Sequence, residues 1–296
     1  MTRTYRVTHR TSYRYERPVT DAYSVACLLP RERPFQRVLE AEVTATPAPD
    51  EERRSVDVFG NRLVQVGVHR RHDAFDLVSS CLVEVEPMPV PSTTAPWEEV
   101  SGLVSALRGP DAIRVGPYLA RTAGSSPTAR HDLLADLVAR AFTPGRPIVD
   151  ALRALSAEIF TGWSFDATAT DWATPLDLVL EQRRGVCQDF AHLATAALRS
   201  VGIPASYVSG YIETEAPPGE VKSIGADASH AWASAWTGDG WLDLDPTNDQ
   251  VPPHRHVTVA WGRDYADVAP VRGVVLGPTG AQTMEVAVDV TRVEPG

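Results

Sequence analysis

The chain is poor in cysteine, methionine and lysine: among its 296 residues are three of each of the first two and one lysine, Lys222. Cys27, Cys81 and Cys187 are odd in number and widely spaced, which excludes a disulfide framework and a CxxC metal site and fits a reducing compartment. No run approaches the ~18 apolar residues of a membrane span, and the opening MTRTYRVTHRTSYRYE has no apolar leader segment. A cytoplasmic location without a membrane partner is the expectation. A basic face is missing too. With a net charge of −10 and its arginines scattered, the chain lacks the footprint of a nucleic-acid groove.

What is present is ordinary globular material, 43% apolar and 22% charged, in a chain long enough for two domains. From Tyr5 to Tyr15 residues alternate, with Tyr5, Val7, His9, Thr11, Tyr13 and Tyr15 on one face and mostly arginines on the other, a half-buried strand. Further strands are expected over Val38 to Thr46, Ser55 to Phe59, Arg62 to His69 and Leu77 to Val85. No helical period separates them, so an antiparallel β-sandwich is predicted over residues 1–88, with Cys27 and Cys81 in its core. The run PMPVP from Pro87 to Pro91 reads as a stiff linker. Residues 89–145 then form a linker and helical region, with helices over Trp97 to Arg108 and His131 to Phe142. A second domain, 146–296, is a core with a C-terminal extension and begins with a helix over Ile148 to Phe160.

In that second domain, RRGVCQDFAHLATAALRS leads from a glycine loop into a helix whose Phe190, Leu193, Ala194, Ala197, Leu198 and Val201 share a face. Cys187 falls at the helix start, where free N–H groups and the helix dipole lower a thiol pKa. A lone cysteine is otherwise a small buried hydrophobe, so its partners decide. His192 stands about 140° round the helix at ~100° per residue and does not face the thiol. His230 lies in the alternating SHAWASAW, sharing a face with Trp232, Ser234 and Trp236, while Ala231, Ala233 and Ala235 leave the other face small enough to lie close to a helix. The following strand, WLDLD, offers Asp243 and Asp245 on one face. Asp245, at the strand end before Pro246, is the preferred partner of the histidine. Helix followed by antiparallel strands makes the fold class α+β. The polar stretch Glu213 to Asp227 before His230 reads as a mobile loop over the cleft or a solvated hairpin tip. The segment after Val257, with a last strand from Met284 to Val293, reads as structural.

GVCQDFAH, GIPASYVSGY, ASHAWASAW and GWLDLDPTN, in that order, resemble the bacterial transglutaminase-like family, a branch of the papain-like cysteine enzymes. TYRVTHRTSYRYERPV through VDVFGN resembles the β-sandwich domain that precedes the core in this family, and GRDYADVAPVRGV its C-terminal part. The resemblance implies Cys187 as nucleophile, His230 as base and later acid, and Asp245 as the group that orients His230. For the oxyanion, the Cys187 N–H is the first donor, with Gln188 or the indole of Trp172 as candidates for a second. Trp232, Trp236 and Trp241 either wall the site or pack the hairpin.

The expected reaction is acyl transfer from an amide or peptide bond through a thioester, with hydrolysis preferred over amine transfer to a protein glutamine. With Lys222 the sole lysine, an amine acceptor comes from another molecule. A non-catalytic binding scaffold is the competing class. No cofactor is expected. Cys187 with His192, or His254 with His256, lacks the spacing and ligand count of a metal site, and no EF-hand loop is present.

Overall fold

The computed structural model describes residues 2–214, 229–252, 254–278 and 280–293. The first six strands are β1 (Arg3–Val19), β2 (Asp21–Leu29), β3 (Gln36–Thr46), β4 (Glu51–Val56), β5 (Arg62–Val68) and β6 (His72–Val85). Helices α1 (Trp97–Ala106), α2 (Gly109–Val115), α3 (His131–Ala141) and α4 (Ile148–Gly162) follow. Two short strands, β7 (Ser164–Phe165) and β8 (Arg184–Gly185), flank α5 (Leu176–Gln182), and β8 runs into α6 (Cys187–Ser200). The core sheet uses β9 (Ala205–Ile212), β10 (Ser229–Trp236), β11 (Trp241–Leu244) and β12 (His256–Gly262). A single turn, α7 (Tyr265–Val268), precedes β13 (Val271–Leu276) and β14 (Gln282–Val293).

Alternation places β1 as expected: Tyr5, Val7, His9 and Thr11 are buried while Arg6, Arg10 and Arg14 face out. Two sheets, in the orders β14-β1-β6-β3 and β13-β2-β5-β4, enclose Leu28, Val43, Val64, Phe75 and Leu77. Cys27 and Cys81 are buried, and burial pushes both thiols up to about 12, which leaves them unreactive.

The C-terminal extension expected on the core joins the N-terminal sheets: β13 pairs with β2, and β14 pairs with β1 over twelve residues, Thr4↔Val293 to Tyr15↔Gln282. Val288 and Val290, both buried, supply the inward face of β14. The strand expected over Ser55 to Phe59 ends at Val56, because Asp57 accepts the N–H groups of Phe59 and Asn61 at 2.8 Å each and makes the corner.

The core sheet, ordered β11-β10-β9-β12, lies against α6. Ala233 and Ala235 meet Leu193, Ala194 and Ala197 of the helix in one apolar cluster. Leu193 and Leu198 have no exposed surface, and each contributes roughly 2 kcal/mol by burial.

The N-terminal sheets and the core are joined by polar side chains in dry surroundings. β12 is an edge strand, and amides from the first domain take the place of a neighbouring strand. Gln36 donates to the Thr258 carbonyl at 2.7 Å and accepts its N–H at 2.8 Å. Asn61 does the same for Trp261, at 2.6 and 2.8 Å, which closes an edge that would otherwise template pairing. Arg33 reaches Asp243 through two N–H groups at 2.6 and 3.0 Å and Thr258 Oγ1 at 2.8 Å, its guanidinium lying over Phe35 and Trp261. His9 of β1 is hydrogen-bonded to the Tyr211 hydroxyl of β9 at 3.0 Å.

Two outcomes follow for stability. Arg33→Met leaves Asp243 as an uncompensated buried charge and is expected to lower the unfolding free energy by about 3–5 kcal/mol in urea titration. Burial pushes His9 from 6.5 down to about 4, so between those values the unfolded chain binds a proton that the native fold refuses. Stability present above about pH 6.5 is lost as pH falls towards about 4. The melting temperature should drop over that interval, and less so in His9→Gln.

Candidate active site

The start of α6 is fixed by three local devices. Arg183 ends α5 with φ 51°, a left-handed position that strains a non-glycine residue. It turns the chain into β8, which pairs with β7 through Ser164↔Arg184 and Phe165↔Gly185. Asp189, on the first turn of α6, folds back so that Oδ2 accepts the Val186 N–H at 2.8 Å and the Thr170 hydroxyl at 2.6 Å. Burial raises the Asp189 pKa against those two bonds. A Cβ on Gly185 would stand 2.6 Å from the same oxygen, so only glycine fits. Cys187 is thereby held as the first residue of α6, half-buried, with helix N–H groups that lack intrahelical acceptors around it.

His230 begins the β10 pairing opposite Gly210 of β9. Its Nε2 donates to Asp245 Oδ2 at 2.9 Å, and its ring also hydrogen-bonds the Cys187 side chain. With Nε2 committed to the carboxylate, Nδ1 is the atom left for the thiol. Burial disfavours the imidazolium, but the bonds and charges of Asp245 and Cys187 outweigh it and push His230 up to about 10.

Asp245 has no exposed surface. Its Oδ1 accepts the backbone N–H groups of Thr247 and Asn248 at 3.0 and 3.3 Å. Its Oδ2 accepts Asn248 Nδ2 at 2.7 Å and His256 Nε2 at 2.9 Å in addition to His230. Against the cost of burial, the bonds from His230 and His256 hold this carboxyl well below the usual carboxylate range. Asp243 takes a different role. Besides Arg33 it binds Trp232 Nε1 at 3.0 Å and Ser234 Oγ at 2.6 Å. Although burial works against ionisation, Arg33 heads the interactions that keep its pKa low.

The remaining sequence candidates separate clearly. His192 is buried away from the thiol, stacks on Tyr207 with centroids 4.8 Å apart and accepts the Tyr265 N–H at 3.1 Å; burial pushes it down to about 4. Trp232 is not a substrate contact. It is fully buried, its one N–H is taken by Asp243, and Gly210 makes room for its indole, a ring carbon standing 2.6 Å from where a Cβ would be. Trp236 packs in the helical cluster and Trp241 stacks on Tyr118 and Trp261, so neither walls the site. Gln188 turns its amide to the Trp172 carbonyl at 3.3 Å, while the Trp172 side chain is 75% exposed. The loop expected to cover the cleft lies, from residue 215, outside the described residues.

His230, Asp245 and His256 bring three ligand-type atoms within 4.8 Å of one another. The short contacts among them are N–H···O hydrogen bonds, and the shared oxygen already holds Asn248 as well, so the cluster reads as a proton-holding network. His256 was weighed only as a metal ligand beside His254, and Asn248 and Arg33 were not among the expected site residues. Asn248 stood inside the quoted GWLDLDPTN, and His256 opens the alternating HVTVAWG that becomes β12.

Residues 5–84 match the bacterial transglutaminase-like N-terminal region and residues 135–246 the transglutaminase-like superfamily. An uncharacterized protein of Mycobacterium tuberculosis is 40% identical over 305 residues, covering 99% of this chain and 94% of that protein. One from Mycobacterium leprae is 34% identical, covering 97% and 98%. A Cytophaga hutchinsonii protein, solved as a candidate cysteine protease, superposes with a TM-score of 0.74 at 20% identity, covering 100% of this chain and 92% of that one. The chain belongs to the transglutaminase-like superfamily, in the form that carries the bacterial N-terminal region.

Proposed function

We propose that the chain is a cysteine-dependent acyl-transfer enzyme that opens amide or peptide bonds through a thioester, with water as the usual acceptor. One observation carries this reading: His230 stands between a thiol at a helix start and a buried carboxylate, spending one ring nitrogen on each.

In this reaction the Cys187 sulfur attacks the amide carbonyl, and the backbone N–H at the start of α6 binds the oxyanion. His230 gives its proton to the departing amine, leaving an acyl thioester on Cys187. Neutral His230 then takes a proton from water as the water attacks the thioester, and the carboxylic acid and the free thiol are released. Asp245 keeps the imidazole in one tautomer and one orientation throughout. Hydrolysis is supported by the half-buried thiol and by the exposed Trp172 beside Gln188: among the described residues, the thiol is not sealed from solvent, as a transferase that excludes water requires. The substrate class is a peptide or protein amide. Amine transfer to a glutamine side chain is the competing outcome of the same thioester.

The deciding experiment incubates wild type and Cys187→Ala with a glutamine-rich unfolded protein and a fluorescent amine, following chain cleavage, ammonia release and amine incorporation. Cleavage or ammonia release without incorporation, lost by about a thousandfold or more in Cys187→Ala, is the expected result; incorporation assigns a transferase. Absence of all three on a broad panel, together with a Cys187 of ordinary alkylation rate, would sink the enzyme reading in favour of a binding scaffold.

A second outcome concerns pH. His230 holds its proton up to about 10, so amide turnover should fall above that value as the acid is lost. Iodoacetamide alkylation of Cys187 needs the sulfur alone and should not fall with it.

A further inference from the structure

Asp245 Oδ2 is shared between two histidines at equal distance. His230 and His256 each donate Nε2–H to it at 2.9 Å. His256 opens β12 opposite Ile212 of β9 and is buried. Its Nδ1 is buried too and has no hydrogen-bond partner among the described residues. A phenylalanine or leucine would fill this place without stranding a polar nitrogen, which is costly in a dry interior. Among the described residues, the Nε2–H that meets Asp245 is the one hydrogen bond that the ring makes, and it is what the stranded nitrogen is tolerated for.

The donor arrangement also sets the ring's state. Donation from Nε2 with a bare Nδ1 is the neutral Nε2–H tautomer. Burial keeps His256 from charging, against the pull of Asp245, and the neighbouring charges of His230 and Arg255 act the same way as burial. The titratable and polar groups around the two histidines include Cys187 from α6, Asp245 and Asn248 from the turn after β11, Arg255 beside β12, and, lining the space beside His256, the Arg33–Asp243 pair and Glu86.

We propose that His256 is a positioning residue of the active site, whose Nε2–H fixes the Asp245 carboxylate and takes a share of its charge away from His230. Donors that share one acceptor oxygen divide its negative charge between them, and Oδ2 is shared by His230, His256 and Asn248. With His256 in place, His230 is oriented firmly yet gives up its proton to the leaving amine more readily than it would to serve Asp245 alone. The proposal rests on the reading of Cys187, His230 and Asp245 given above.

The test uses the full chain and iodoacetamide and needs no substrate. Since Cys27 and Cys81 are buried with raised pKa values, alkylation reports Cys187. From about pH 5 to about pH 11, wild type should show a plateau while the sulfur is paired with the His230 imidazolium. A second rise should follow where that proton leaves, because an unpaired thiolate is the better nucleophile. In His256→Phe the second rise should move up by about one pH unit, and in His256→Gln, which keeps an N–H donor, it should return towards wild type. A rise at the wild-type position in His256→Phe, or no recovery in His256→Gln relative to Phe, overturns the proposal. A wild-type profile that matches His230→Ala shows instead that the triad itself is misassigned, and the proposal fails with it. Should a variant not fold, ¹⁵N NMR of wild-type histidine side chains decides: a neutral Nε2–H His256 at neutral pH supports the positioning role, and a charged or Nδ1–H ring refutes it.

Discussion

Two carboxylates, Asp243 and Asp245, lie two residues apart with almost no exposed surface, and the active site depends on how each charge is met. A buried charge without a partner costs several kcal/mol, so both acids recruit donors from distant parts of the chain. Asp243 takes an arginine, whose proton is permanent, and becomes a fixed anchor for Trp232 and Ser234. Asp245 takes two imidazoles, whose protons can move. That difference in partner, rather than any difference between the acids themselves, makes one a brace and the other the centre of a proton-holding network.

The same division explains what the N-terminal sheets contribute. Gln36 and Asn61 occupy the outer edge of β12 as a fifth strand would, and Arg33 meets the acid behind β10. Trp232, held by Asp243, in turn lies 5.9 Å from His230 and 5.1 Å from His256, centroid to centroid. Arg33 of the first domain thus bears on His230 through two intervening residues, Asp243 and Trp232.

Much of this was legible from residues alone, where the signal was local. Helical spacing after Cys187, the alternation of SHAWASAW and the strand-end position of Asp245 depend on periods of 3.6 and 2, and each element formed within a residue or two of its expected bounds. Angular position on the helix also set His192 aside, and it lies buried against Tyr207 and Tyr265. What escaped was non-local or masked by burial. Arg33 and Asp243 are 210 residues apart. β2 shows no clean alternation from Ala26 to Leu29 because all four residues are buried. His256, weighed only as half of a His-x-His metal pair, sits in a strand whose first five residues are all buried, so nothing in its immediate sequence marks the carboxylate it meets. Trp232, left open between a site wall and hairpin packing, is fully buried with its N–H on Asp243, a carboxylate on the neighbouring strand.

The pairing of β14 with β1 has a consequence for how the molecule comes into being. The sheet that begins at Arg3 receives its last strand only from residues 282–293, so the thiol helix and its histidine strand are inserted between two halves of one sheet. Contacts of such long sequence separation form late and slowly. Cys187, His230 and Asp245 are therefore synthesised before residues 282–293, the strand that completes the β1 sheet, so the thiol helix precedes part of the frame that it packs against.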